Sequence, residues 1–202
     1  MSELEEERSA FDWEARFAEG TTPWERGQMH PAFLDWARKG AFTDLESVMI
    51  PGCGRAPEVA GFAEMGIHTI GADLSETAIN WQRKHLDECD LSAELITGDI
   101  LDWTPAAPID AVYEQTFLCA IHPRLRETYE AALIRWLKPG GKLFALLMQK
   151  DERGGPPYGC PIGVMHTLFP ESRWIWPDGE LTPWPHPALG GKAELGAILE
   201  RR

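Results

Sequence analysis

Apolar residues follow two rhythms along this chain. From Ser47 onward, short apolar runs alternate with stretches in which apolar residues recur every three or four positions. The runs predict strands at 47–50, 68–72, 93–97, 109–114 and 142–149, and the periodic stretches predict helices near 56–65, 75–88 and 123–137. Strands alternating with helices of this length build a parallel sheet through right-handed crossovers. The early strands are short or almost wholly apolar, as expected when both sheet faces are covered. Lys138-Pro139-Gly140-Gly141 marks a stop between the last long helix and the fifth strand. Before residue 47 the pattern is helical. Ser2 with Glu5 forms a capping box, Phe11, Trp13 and Phe17 share one helical face, and Gly20 to Trp24 breaks that helix before another over Pro31–Lys39. After Gln149 come a stiff Gly154–Tyr158 loop, a short helix from Ile162 to Phe169, and strands at Arg173–Trp176 and Ala193–Leu199 joined by a Pro- and Gly-rich stretch.

At 202 residues the chain suits one domain, with a helical cover over 1–45 and an α/β core over 46–202. With 44% hydrophobic and 25% charged residues the balance is that of a globular protein. No apolar run approaches the ~20 residues of a membrane helix, and the acidic start Met1 to Glu7 is the opposite of a secretory signal. Four cysteines stand far apart without a Cys-x-x-Cys pair, which predicts a reducing, cytoplasmic setting. A net charge of −13 argues against a nucleic-acid partner. The six histidines have no ligand spacing, so no metal is expected. The expected partner is a small molecule, and a monomer is the simpler expectation for assembly.

Chemistry enters at one place. The first strand opens into Pro51-Gly52-Cys53-Gly54, and the second ends in Asp73. A glycine turn admits a ligand close to the backbone, the next helix offers its N-terminus, and the acid can hold a ribose diol. Two enzyme groups share this arrangement. A dinucleotide site needs a third glycine at the helix start, where this chain has Pro57; S-adenosylmethionine (SAM) has no phosphate and does not need it. After the third strand, Asp99 can accept from an adenine amine while Ile100 packs on the ring; alternatively Asp99 only caps the turn before Trp103. Tyr113-Glu114-Gln115 brings polar groups to the end of the fourth strand. Gly52, Asp73, Asp99 and Glu114 thus converge beyond the carboxyl ends of four strands, where open α/β sheets bind ligands.

On these residues the chain resembles the thiopurine S-methyltransferase superfamily, in its thiol, thiocyanate and halide methyltransferase branch. The resemblance is carried by Trp13-x-x-x-Phe17, Gly20-Thr21-Thr22-Pro23-Trp24, Pro51-Gly52-Cys53-Gly54, Gly71-Ala72-Asp73-Leu74-Ser75, the run Phe117 to Pro123, Leu137 to Gly141, and Gly154-Gly155-Pro156-Pro157-Tyr158, in order over about residues 11 to 160. It implies a Rossmann-like class I methyltransferase: a mostly parallel seven-stranded sheet with helices on both faces and an antiparallel last strand. It also implies SAM as cofactor, an aromatic cover of Trp13, Phe17 and Trp24, and further contacts from Gly52, Asp73, Asp99, Ile100 and Glu114. Phe17 stands where relatives often carry tryptophan, and Glu114 where they often carry aspartate. The region after Tyr158 matches poorly.

Of the nine tryptophans, Trp36, Trp81, Trp103 and Trp136 read as packing, whereas Trp13 and Trp24 lie in the covering segment, where aromatic faces attract a sulfonium. Cys53 and Cys119 read as small buried residues. His122 precedes Pro123 and is weighed as a substrate-orienting residue or a helix start; Tyr158 is weighed as an acceptor contact or a packed ring. The expected reaction is methyl transfer from SAM to a small sulfur nucleophile (thiol, sulfide or thiocyanate), with heavy halides as a further class. A thiol with a pKa near 8.5 is already a few per cent thiolate at neutral pH, so a dedicated base is not required. The alternatives are O- or N-methylation of a small metabolite, which would need a base such as His122 or Glu114, an NAD oxidoreductase, and a non-catalytic SAM-binding module.

Overall fold

The computed structural model describes residues 11–186 and 189–202. The Ser2–Glu5 capping box lies outside them. The first described helix, α1 (Trp13–Glu19), begins later than the apolar face suggested, because Asp12 caps it by accepting from Ala15 N at 2.9 Å. Phe11 therefore precedes the helix and packs on Trp13, ring centroids 4.5 Å apart. Gly20 ends α1 in the left-handed conformation, and Pro31 opens α2 (Pro31–Arg38) after a His30 cap.

The alternating region follows as β1 (Ser47–Pro51), α3 (Glu58–Glu64), β2 (His68–Asp73), α4 (Glu76–Glu88), β3 (Glu94–Thr97), β4 (Ile109–Gln115), α5 (Phe117–Ala120), α6 (Arg126–Trp136) and β5 (Leu137–Met148). Then come α7 (Ile162–Leu168), β6 (Trp174–Ile175), β7 (Thr182–Pro185) and β8 (Ala193–Arg201). The sheet runs β3-β2-β1-β4-β5-β8-β6, with β7 also on β8. The pairings among β1 to β5 are all parallel, and β8 runs antiparallel to β5 from Lys142–Glu200 to Met148–Glu194.

Alternation along β4 and β5 divides the core. Val112, Leu143, Ala145 and Leu147 face one side with α6, including Tyr129 and Trp136. Ala111, Tyr113, Phe144 and Leu146 face the other with Phe33, Phe42 and Phe62. Side chains of neighbouring strand residues point to opposite faces, so each central strand feeds both layers and can be apolar throughout.

Two features go beyond the pattern. The helix α6 already ends at Trp136, and residues 138–141, inside β5, stand against Asp110 as a bulge, because Leu137 pairs with Ile109 and Lys142 with Ala111. Asp110 holds this corner: it pairs with Lys138 and accepts from Ser47 N at 2.8 Å and Ser47 Oγ at 2.7 Å. In addition, the stretch between the last two expected strands contains β7, Thr182-Pro183-Trp184-Pro185, so the sheet has eight strands among the described residues. Four residues with two prolines carry no strand pattern, and β7 exists because β8 extends past β6 and offers it an edge. Among the described residues no helix is long and apolar enough to cross a membrane.

Candidate active site

A crevice of about 400 Å³ opens at the carboxyl ends of β1, β2 and β4 and is roofed by residues between Phe11 and Gln28. Its floor follows from backbone conformation. Gly52 has φ +57°, and a Cβ there would fall 2.6 Å from Phe117 Cδ2, so both the left-handed turn and the close ring exclude a side chain. Asp73 ends β2 and is nearly buried. Its Oδ2 accepts from Gly54 N at 2.8 Å and its Oδ1 from Ser75 N at 2.9 Å. Burial pushes its carboxyl above the ordinary aspartate value, and the two backbone N–H groups oppose that shift. Each oxygen keeps a lone pair for a further donor.

Asp99 and Ile100 also line the crevice. The capping reading of Asp99 holds as well, since its Oδ1 accepts from Leu101 N at 2.9 Å at the start of a one-turn 3-10 helix. Glu114 does not reach the crevice. Tyr113 and Gln115 line it, and alternation turns Glu114 to the opposite face, where Oε1 accepts from Leu118 N at 2.7 Å. Burial pushes the Glu114 carboxyl up to about 7, and its Oε2 has no partner among the described residues. Gln115 stands where Glu114 was expected, its Oε1 accepting from Tyr113 OH at 3.0 Å.

The three expected aromatics form one roof. The Trp24 ring meets Trp13 edge-on at 5.6 Å and Phe17 at 5.9 Å. Arg55, from the turn after β1, lies over Phe17 at 5.4 Å and donates to its carbonyl at 2.7 Å. A second tie is Glu14, whose carboxylate accepts from Ser75 Oγ at 2.6 Å, from Thr77 N at 3.1 Å and from Thr77 Oγ1. These hydrogen bonds hold its carboxyl below the usual range and fasten α1 to the N-terminus of α4, the helix that follows Asp73.

Beyond β4, the crevice is closed by Tyr158 and His122, whose rings meet edge-on at 5.4 Å. A Cβ at Gly155 would fall 2.6 Å from Tyr158 Cγ, so the loop folds its tyrosine back over a glycine and fixes the ring; Tyr158 N donates to Cys119 O at 2.7 Å. His122 caps a short 3-10 helix, its Nδ1 accepting from Arg124 N at 3.3 Å. Burial raises the thiols of Cys53 and Cys119 well above their ordinary value, as fits packed side chains and not nucleophiles.

Sequence reasoning missed the polar end of this wall. Arg26 lines the crevice with its side chain only 10% exposed. Its Nη2 donates to Glu194 Oε2 on β8, and to Pro185 O at 3.4 Å. The same Glu194 oxygen takes His30 Nε2 at 3.1 Å, while His30 Nδ1 accepts from Ala32 N at 3.0 Å. That pattern makes His30 neutral with its proton on Nε2, in line with burial lowering its pKa. His30 N in turn donates to buried Glu58 at 2.6 Å. His186 lines the crevice beside this group. Arg26 and Glu194 lie 168 residues apart, and no local motif announces such a pair.

Comparisons with known proteins agree with this geometry. A family model described as "Thiopurine S-methyltransferase (TPMT)" matches residues 8–175. A relative named "Probable thiol methyltransferase 2" from Arabidopsis thaliana is 32% identical over 162 residues, covering 79% of this chain and 71% of that protein. "Thiocyanate methyltransferase 1" from the same plant is 26% identical over 187 residues, covering 91% and 82%. The solved Burkholderia thailandensis 1,6-didemethyltoxoflavin-N1-methyltransferase, with S-adenosylhomocysteine bound, shares the fold at a TM-score of 0.68 and 15% identity, covering all of this chain and 91% of that one.

Proposed function

This chain belongs to the thiopurine S-methyltransferase family and is a SAM-dependent methyltransferase, and from that premise we propose that it methylates small sulfur nucleophiles, namely thiols, sulfide and thiocyanate, and also heavy halide ions. The observation that carries this reading is the single crevice that joins a strand-end floor to an aromatic roof and ends at Tyr158. The residues fit the cofactor: Gly52 brings a left-handed turn with no side chain to the crevice floor, and Asp73 has two oxygens with lone pairs to spare. In this reading Asp73 holds the ribose hydroxyls and Asp99 and Ile100 hold the adenine. Trp13, Phe17 and Trp24 cover the sulfonium. Glu114 has no part in direct contact. In this reading the chain works as one domain, with the N-terminal helical cover closing over the α/β core.

Bound SAM supplies an electrophilic methyl on a positively charged sulfur. The protein's contribution is placement and dryness. Holding two reactants in line can supply ~7–11 kcal/mol in favourable cases, and excluding water raises the reactivity of a soft anion. Tyr158 presents its hydroxyl on the acceptor side, and the roof keeps water from both partners. His122, committed through Nδ1 to Arg124 N, orients the wall and does not act as a base.

The test is a panel of thiols, sulfide, thiocyanate and iodide against phenols and amines of similar size, with methylated products measured. Higher catalytic efficiency for sulfur acceptors is expected. A preference for oxygen or nitrogen acceptors, with near-total loss in His122→Asn, would overturn the reading.

A further inference from the structure

The protein carries a net charge of −13, yet the acceptors proposed above react as anions. At long range such a protein repels them. A local device at the acceptor end answers this. Asp73 at the end of β2 and Asp99 after β3 set the cofactor side of the crevice, and β4 lies past β1 in the sheet. Continuing in the same direction come β5, β8 and β7, and there Arg26 is fixed to Glu194 and to the Pro185 carbonyl. Of the guanidinium, only Nη2 is engaged among the described residues. Among the described residues no hydrogen bond uses Nε or Nη1, although the side chain is nine-tenths buried in the crevice wall. Neither nitrogen is among the fully buried atoms that lack a partner, so the idle edge of a guanidinium in the crevice wall is open to a partner that accepts hydrogen bonds.

We propose that Arg26 determines the charge of the methyl acceptor: the crevice takes it as an anion against the free edge of the guanidinium, with Glu194 and His30 as the brace that holds Arg26 in place. The proposal rests on the reading of the acceptor as a small soft nucleophile. The brace also limits the attraction. Transfer consumes charge, because the acceptor's lone pair forms the new bond to carbon as the sulfonium–methyl bond breaks, leaving a neutral product and a neutral thioether. A bare cation would hold the anion most tightly before reaction and slow the step. Glu194 offsets part of the Arg26 charge, so the anion is oriented without being trapped.

The experiment uses the full chain with Arg26→Gln and Arg26→Lys. Thiocyanate is titrated calorimetrically into protein loaded with S-adenosylhomocysteine, and catalytic efficiency is compared for thiocyanate and iodide against a dialkyl sulfide, a neutral sulfur acceptor. In Arg26→Gln, thiocyanate affinity is expected to fall about tenfold or more. Efficiency for the two anions should fall at least tenfold further than efficiency for the sulfide, with partial recovery in Arg26→Lys. Affinity for S-adenosylhomocysteine should stay within about twofold. Equal losses for charged and neutral acceptors would overturn the proposal. So would a collapse of S-adenosylhomocysteine affinity, which would assign Arg26 to the cofactor's carboxylate. Wild-type protein that methylates neutral thiols but binds no thiocyanate would overturn it too, while leaving the sulfur-acceptor reading intact. Thiocyanate bound through Arg26 with no sulfur or halide methylated would instead overturn the functional reading, and the acceptor role with it.

Discussion

The two ends of the crevice are built by different means. At the β1–β3 end the crevice-facing groups are backbone amides, a glycine turn and strand-end carboxylates, all drawn from residues 52 to 100. At the β4–β8 end they are side chains gathered from residues as distant as Arg26, Tyr158 and His186. The first end rests on conformations that few sequences can adopt. The second rests on long-range packing, in which one wall residue can change without unfolding the sheet. A cofactor common to many enzymes suits the first kind of construction, and an acceptor that differs between relatives suits the second.

That contrast predicts unequal sensitivities. The largest effect is expected at the first end, where Asp73→Ala removes a charged partner of the proposed ribose contact and also releases Gly54 N and Ser75 N. SAM affinity should fall by on the order of 2–4 kcal/mol, read by calorimetry. Unchanged affinity would mean that the cofactor is held mainly elsewhere.

Next comes pH, acting on the buried carboxyls behind the second end. Glu58 and Glu114 are each raised by burial to about 7. The folded state then keeps protons that the unfolded chain loses above its ordinary value of 4.5. Their own contribution to stability should therefore be full below that value and decline as pH rises from about 4.5 to 7, by on the order of 2 kcal/mol for each carboxyl. Urea melts across this range should show the decline, and Glu114→Gln should flatten it. A Glu114→Gln protein with the wild-type slope would show that the cost of burial is met by other groups.

Smaller effects should separate the ends further. Tyr158→Phe should raise KM for the acceptor by about tenfold, on the order of one charge-assisted hydrogen bond, and leave SAM affinity alone. Loss of SAM affinity in that variant would erase the distinction between the two ends. Smallest is Trp24→Phe, which keeps an aromatic face in the roof. It should cost about 0.5–1 kcal/mol of cofactor affinity and remove much of the tryptophan quench on binding.

What could be read from sequence follows the same line. Gly52, Asp73 and Asp99 were legible because a short apolar run, a glycine and a terminal acid are local signals, and all three line the crevice. The roof residues were legible only through resemblance, since nothing in their spacing says that they meet. Glu114 was misplaced by one residue of strand parity: Tyr113 and Gln115 face the crevice, so the residue between them cannot. Arg26 and His186 gave no signal, because their grouping depends on how β8 crosses beside β5. The strand β7 was invisible for a related reason, as its pairing belongs to β8 and not to its own four residues.

That small strand has a consequence for how molecules of this protein meet one another. A sheet margin normally offers a row of amide donors on which another chain can stack. Here the outer margin of β8 is shared between β6, opposite Glu200 and Arg201, and β7, opposite residues 193–196. Pro183 and Pro185 sit two apart in β7 and have no N–H, so one margin of β7 lacks donors at both positions. The ladder ends there in a strand that accepts its neighbour on one side and offers little for a further strand on the other. This margin of the sheet therefore carries its own terminator against growth into a fibre, and replacing both prolines with valine should lower the protein concentration at which heated samples aggregate.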